Sequence, residues 1–254
     1  MNKKNILDFE DFLNTYKNKG VALYVKHLFP ISLDSELSIE YAYLIGKVMG
    51  DGNLDDKYTL RFIGQEEDLF LLRDLIIKRL SIKKEQVSIR KKEAYGISYT
   101  LQVNCAYLGR ILSLLGAPIG NKTKSKFEIP NWIIKSKNHL KIFLNALLED
   151  ELTTIKIDKC NYAIKPRFKM AKKENLLPNL RYFLGQIKSS IESFGIECSH
   201  ISEPVKGTKT KELYFFLNRK KINIIRFQEN IGFRLNQDKI KELNKCSEIL
   251  RRTL

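Results

Sequence analysis

Two carboxylates stand where helix physics does not favour them. Asp51 follows the run Leu44-Ile45-Gly46-Lys47-Val48-Met49-Gly50 and precedes Gly52, and Glu151 follows Leu144-Asn145-Ala146-Leu147-Leu148-Glu149-Asp150 and precedes Leu152. Both runs read as apolar helices closing on acids. A helix C-terminus carries partial negative charge, so Lys or Arg is the expected residue there and a carboxylate has the wrong sign. A bound cation would correct the imbalance, and two such ends suggest a pair. Gly46 and Gly50, four residues apart, share one helix face. Gly inside a helix costs about 1 kcal/mol relative to Ala, so a partner helix packed closely on that face is the expected compensation.

The first run resembles the motif of the LAGLIDADG homing endonucleases at Leu44, Gly46, Asp51 and Gly52. The second resembles it at Leu144 and Leu147, with Ala146 where the family has glycine and Glu151 in its metal-binding acid position. It departs at Leu152, where the family motif ends in glycine. Ile129-Pro130-Asn131-Trp132-Ile133 and Ile231-Gly232-Phe233 add to the likeness, which extends over about residues 38–250. The resemblance implies an α+β fold of two pseudo-symmetric αββαββα halves with antiparallel sheets forming a DNA-binding saddle. In that arrangement the motif helices pack side by side through Gly46, Gly50 and Ala146, and Asp51 and Glu151 meet at the centre. Both acids would hold Mg²⁺ against scissile phosphates, activating water and stabilising the leaving oxygen of an in-line displacement.

The family also carries basic or polar residues beside the metal. Aligning 63–69 with 170–176 makes Gln65 and Lys172 equivalent at a strand-to-helix junction, where they would orient water or stabilise phosphate charge. Aligning Arg61-Phe62 with Arg167-Phe168 shifts the register by one residue, and both alignments stand at this point. A glycine after the metal acid can take positive φ, so Leu152 would cost roughly 1–2 kcal/mol if left-handed geometry is required there. The consequence would be intact function, nicking, or binding without cleavage.

The elements that must position these residues follow the chain. Residues 1–37 lie outside the resemblance: Ile6, Phe9, Leu13 and Tyr16 recur at helical spacing, Gly20 is a stop, and 21–29 reads as a short helix or strand before Pro30. After the first motif helix at 38–50, Asp55-Asp56 marks a turn, 58–63 alternates as a strand and 67–82 reads as a helix. A hairpin over 87–92 and 97–103 puts Ser88, Arg90, Ser98, Thr100 and Gln102 on its polar face, and Asn104 is a cap for a helix to 115. The order then repeats: strands at 153–158 and 163–170, a helix at 174–194 stopped by Gly195, strands at 197–202 and 212–217, and helices at 220–231 and 236–250. The divisions expected are an N-terminal extension at 1–37, a first half at 38–116, a linker at 117–137 and a second half at 138–254 with its C-terminal helix.

The chain of 254 residues has 43% hydrophobic composition, enough for one large or two small cores, and a formal net charge of +16. Such a balance points to a polyanionic partner. In 164–170 the basic residues Lys165, Arg167 and Lys169 alternate with Ile164, Phe168 and Met170, so the first set would face a major groove and the second the core. Lys156 and Asp158 alternate in the same way with Ile155 and Ile157. Arg61 and Arg90 join this DNA-binding set. Cys105, Cys160, Cys198 and Cys246 form no Cys-x-x-Cys pair, which argues against zinc and fits a reducing, cytoplasmic setting. No apolar run approaches membrane-spanning length. The function expected is a monomeric, site-specific double-strand DNA endonuclease of intron or intein mobility. The alternatives are a non-cleaving DNA-binding regulator and an intron RNA splicing helper.

Overall fold

The computed structural model describes residues 5–17, 19–92, 98–158, 162–204 and 210–252. By internal contacts the chain divides into two compact units, one of Met1–Gly120 with Pro130–Phe143 and one of Asn121–Ile129 with Leu144–Leu254. The stretch expected to be a linker is therefore shared between them. Among the described residues no helix is long and apolar enough to cross a membrane.

The first unit opens with β1 (Asn5–Leu7), α1 (Phe9–Leu13), α2 (Lys19–Leu23) and β2 (Ile31–Ser32), with β1 antiparallel to β2. The single helix suggested by Ile6 to Tyr16 is thus a strand followed by a short helix. Its aromatic residues still form a cluster, Phe12 lying 4.8 Å from Phe29 and 5.2 Å from Tyr16 between ring centroids. Arg110 ties this extension down: its guanidinium donates to Thr15 O at 2.6 Å and sits between the rings of Tyr16 and Tyr58.

Ser35 caps α3 (Glu36–Met49), its hydroxyl accepting the Leu37 N–H. There follow β3 (Asn53–Leu54), β4 (Leu60–Gly64), α4 (Glu66–Arg79), β5 (Val87–Lys92), β6 (Ser98–Val103) and α5 (Ala106–Leu114). The strands form an antiparallel sheet in the order β3-β4-β6-β5. Leu60, Phe62, Leu101 and Val103 project to one side and are buried with Leu72 and Ile76 of α4 and Ile111 of α5. Asn104 does not cap α5. Its N–H donates to Gln86 O and its side chain accepts from Gln102, leaving Cys105 at the N-cap. The short α6 (Asn131–Ile134) holds Trp132, whose indole N–H donates to Leu115 O at 2.9 Å.

The second motif helix, α7 (Lys137–Glu151), begins in the first unit and ends in the second. The second unit continues with β7 (Arg167–Lys173), α8 (Leu177–Glu192), β8 (Thr210–Phe216), α9 (Lys221–Asn230) and α10 (Gln237–Arg251). Gly195, at φ +76°, follows the end of α8 as expected. The strands expected at 153–158 and 197–202 are reduced to single bridges, Leu152 to Phe168, Ile157 to Ala163 and Cys198 to Leu217. Hydroxyl groups explain the loss. Thr153 Oγ1 accepts the Arg167 N–H, Ser199 Oγ that of Phe216 and Ser202 Oγ that of Tyr214, so side chains take ladder positions that carbonyls would fill in a regular strand. The neighbour order 153, β7, β8, 199–202 nevertheless matches that of the first sheet. Phe168, Phe215, Phe183, Ile187 and Phe227 are buried in this unit's core.

Acidic helix ends and candidate nucleic-acid face

The first motif helix is buried at residues 40–46 and 48–49, so packing fixes where it stops. Its last carbonyls are met by the chain that follows, Gly50 N–H donating to Gly46 O at 2.9 Å and Gly52 N–H to Lys47 O at 2.8 Å. Asp51 is exposed between these two bonds. A Cβ on Gly52 would lie 2.6 Å from Lys47 O and 2.8 Å from the Phe62 ring. Close approach, not a left-handed backbone, is what demands glycine, because Gly52 is not among the positive-φ residues.

The second helix end is built differently. Glu149 is 2% exposed, and its Oε1 accepts the N–H of Arg234, of Leu235 at 2.5 Å and of Asn236 at 3.3 Å. Lys239 Nζ donates to Glu149 O and to Leu152 O, each at 2.6 Å. The cation that the sequence argument asks for at this end is therefore supplied by the chain itself. Glu151 and Asp150 are half-buried. Leu152 is 1% exposed, bridges Phe168 and has no positive φ, so the strain anticipated there does not arise.

A parallel between the two helix ends decides the alignment. Gly52 meets Phe62 and Leu152 bridges Phe168, which pairs Arg61-Phe62 with Arg167-Phe168 and sets Ala171, not Lys172, opposite Gln65. Gln65 is exposed at the N-cap of α4. Lys172 is 1% exposed on β7, its ammonium donating to Ser125 O at 2.7 Å and Asn179 Oδ1 at 2.5 Å and lying 3.7 Å from the Phe127 ring centroid. Asn179 in turn holds both Phe127 N–H and Phe127 O, so this cluster fastens 125–127 to the second unit. Without a carboxylate partner among these contacts, desolvation pulls the Lys172 pKa down to about 8.

The basic residues lie on sheet faces opposite the two cores. In the first unit the register sets Arg61, Ile63, Ser88, Arg90, Thr100 and Gln102 on one side. Arg61 pairs with Asp55 at 3.0 Å, Ile63 is 58% exposed, and the buried hydroxyls of Ser88 and Thr100 have no hydrogen-bond partner among the described residues. In the second unit Arg167 stands opposite Phe216, and Lys169 opposite Tyr214. The Arg167 guanidinium lies 5.7 Å from the Tyr214 ring, Lys165 Nζ 6.0 Å from that of Phe216, and Lys169 pairs with Glu212 at 3.2 Å. Lys165, Arg167 and Lys169 thus lie on the solvent side as expected. Their supposed core neighbours do not all follow, since Ile164 is 53% exposed and Met170 half-buried. β7 begins only at Arg167, after Pro166, which has no N–H for the ladder. Lys156 and Asp158 are exposed beside it. The alternation of Glu212, Tyr214 and Phe216 could have signalled this aromatic partner strand; nothing local marks Lys239. Cys105 and Cys246 are buried and Cys198 half-buried, with burial pushing Cys246 up to about 11 and Cys198 up to about 12, while Cys160 lies outside the described residues.

No family model matches the sequence. Among solved structures, I-DmoI in complex with DNA and Ca aligns with TM-score 0.50 and 14% identity over 82% of this chain and 98% of that one. The chain has the LAGLIDADG endonuclease fold. I-WcaI bound to its DNA recognition sequence aligns at 0.49 and 13% identity over 93% of this chain and 98% of that one. By sequence the chain is 32% identical over 72% of its length to the DNA-directed RNA polymerase subunit Rpo1N of Methanocaldococcus jannaschii, and 28% identical over 92% to the tRNA-splicing ligase RtcB of Methanopyrus kandleri. It spans only 15% and 25% of those two proteins.

Two predictions follow from these environments. Leu152→Gly, which gives the second helix end the glycine that follows Asp51 in the first, should destabilise the protein by at least the ~2–5 kcal/mol of a buried Leu truncation; a urea midpoint that rises would contradict this. Lys172 has a folded pKa near 8 against 10.5 for the free group, so between those values the unfolded chain binds the extra proton and stability gains a term that rises with pH. Lys172→Met should remove that rise, measured as urea stability from pH 8 to 10.5, and an identical slope in both proteins would count against it.

Proposed function

We propose that this protein is a member of the LAGLIDADG family and a site-specific endonuclease that hydrolyses both strands of DNA with a divalent metal. The observation that carries the reading is repeated within each unit. The residue after the motif acid lies beside the Phe of an Arg-Phe pair, Gly52 against the Phe62 ring and Leu152 in a backbone bridge to Phe168, so each acid is next to a strand whose outer face carries Arg61 or Arg167. An acid joined rigidly to a cation-bearing strand is what phosphate cleavage in a duplex needs, because groove contacts then set where the carboxylate meets the backbone.

Asp51 and Glu151 are the proposed ligands, and Mg²⁺ the proposed ion. Carboxylate oxygens fit a hard cation that keeps several waters. Among the described residues no three His, Cys, Asp or Glu side chains group to hold an ion, so water and phosphate oxygens would complete the shell. Bound there, the ion supplies charge neutralisation and an activated water. Arg61, Arg90, Lys156, Lys165, Arg167 and Lys169 would hold phosphates and base edges, and Gln65, exposed at the start of α4, would orient water. Lys172 would do the same only after releasing Ser125 and Asn179. Both motif helices belong to one chain, which we propose acts as a monomer.

Sequence likeness to a polymerase subunit, a tRNA-splicing ligase and a replication factor C subunit, in each case over 12–25% of that protein, supports mobility within intron or intein hosts. A segment shared by proteins of such different names is read as serving none of those activities. A non-cleaving DNA-binding protein on the same fold is the second reading, and it is favoured by Leu152 standing where the first motif has Gly52.

The test begins by selecting a target from a randomised duplex library. Asp51→Asn and Glu151→Gln should each abolish or severely slow Mg²⁺-dependent cleavage of that target while leaving binding in Ca²⁺ nearly intact, since most affinity comes from the basic faces. Cleavage unaffected by both would overturn the assignment. Replacing Lys165, Arg167 and Lys169 together by Ala should weaken binding without altering unfolding, with a salt slope shallower by up to ~0.9 for each phosphate contact removed. An unchanged slope and affinity would move DNA off this face.

A further inference from the structure

The C-terminal segment grips the second motif along its length. Asn145 Nδ2 donates to Ile231 O at 3.2 Å, Glu149 receives the amides of 234–236, and Cys246 Sγ donates to Ile155 O at 3.3 Å. Gly232, at φ +66°, lets the chain turn from α9 into this return. Within the grip, Lys239 occupies a position that its own helix disfavours. Asn236 caps α10 by accepting the Lys239 N–H at 2.9 Å, which sets Lys239 in the first turn, where the macrodipole favours acids. The offsetting gain is a pair of charge-assisted bonds to the terminal carbonyls of α7.

Those carbonyls belong to residues 149 and 152, on either side of Glu151. We infer that Lys239 is the positioning residue for Glu151, fixing the peptide segment that presents this carboxylate to the metal; the inference rests on reading Glu151 as a ligand. Two effects of opposite sign meet here. If Lys239 acted only by its charge it would repel a bound cation, and removing it would tighten metal binding. If it acts by holding the segment, removing it weakens metal use, as loss of an outer partner of a metal ligand does by roughly 10–100-fold.

The experiment compares wild type, Lys239→Met and Lys239→Arg on the selected duplex, with Lys188→Met, which alters a surface Lys paired with Glu192, as control. The readouts are the Mg²⁺ midpoint of cleavage, kcat against KM, the urea midpoint, and amide exchange at Leu152 and Thr153 in metal-free protein. Lys239→Met should raise the Mg²⁺ midpoint or lower kcat by roughly 10–100-fold with KM for DNA little changed, and should speed exchange at both amides. Lys239→Arg should recover most of each. A folded Lys239→Met protein with an unchanged or lower Mg²⁺ midpoint overturns the inference. If that variant does not fold, Lys239→Gln, which keeps a donor without the charge, takes its place under the same criteria. Wild-type protein that cuts nothing defeats the endonuclease reading instead; exchange then judges the positioning role, and rates equal to wild type in the variant reject it.

Discussion

A helix buried along most of its length has its end fixed by packing, and here two such ends are followed by carboxylates. Everything near the candidate chemistry is arranged around that electrostatic constraint. At the first, the carbonyls are satisfied by Gly50 and Gly52 N–H groups, and Asp51 is left exposed to solvent, where high dielectric makes its charge cheap to keep. At the second, Lys239 neutralises the carbonyl end and Glu149 takes three amides of the returning chain. The same motif position is therefore held by backbone in one unit and by a distant side chain in the other.

The strand faces follow a similar economy. Their ion pairs, Arg61 with Asp55 and Lys169 with Glu212, are partly exposed, and pairs of that kind contribute only about 0.2–1 kcal/mol. A phosphate can displace such a partner with little loss. The hydroxyls of Ser88 and Thr100, which have no hydrogen-bond partner among the described residues, lie on this same side of the sheet. Tyr214 and Phe216, beside Arg167 and Lys165, add apolar surface that can meet sugars or base edges.

What the sequence made legible were features set by local periodicity. The motif helix ending before Asp51, the paired strands Val87–Lys92 and Ser98–Val103 and the basic side of Arg167 and Lys169 all come from spacing of 3.6 or 2 residues. The losses come from partners distant in the chain. The outer strands of the second sheet failed because Thr153, Ser199 and Ser202 offered hydroxyls to the ladder, an outcome that alternation does not reveal. Sequence suggests positive φ for a glycine after the motif acid, whereas Gly52 has none and its missing Cβ leaves room for Lys47 O and the Phe62 ring. Lys239 lies nearly ninety positions from the carbonyls it holds, and no window of sequence joins them.

We propose that Asp51 and Glu151 each serve as a metal ligand and that DNA lies along the basic strand faces. Crystals of the protein with its selected duplex and Mn²⁺, examined by anomalous scattering, test it directly. A peak at about 2.1 Å from a carboxylate oxygen of each acid, with Arg61 and Arg167 directed at the duplex, is the predicted result. Manganese bound elsewhere, or a duplex seated away from β4 and β7, would contradict it.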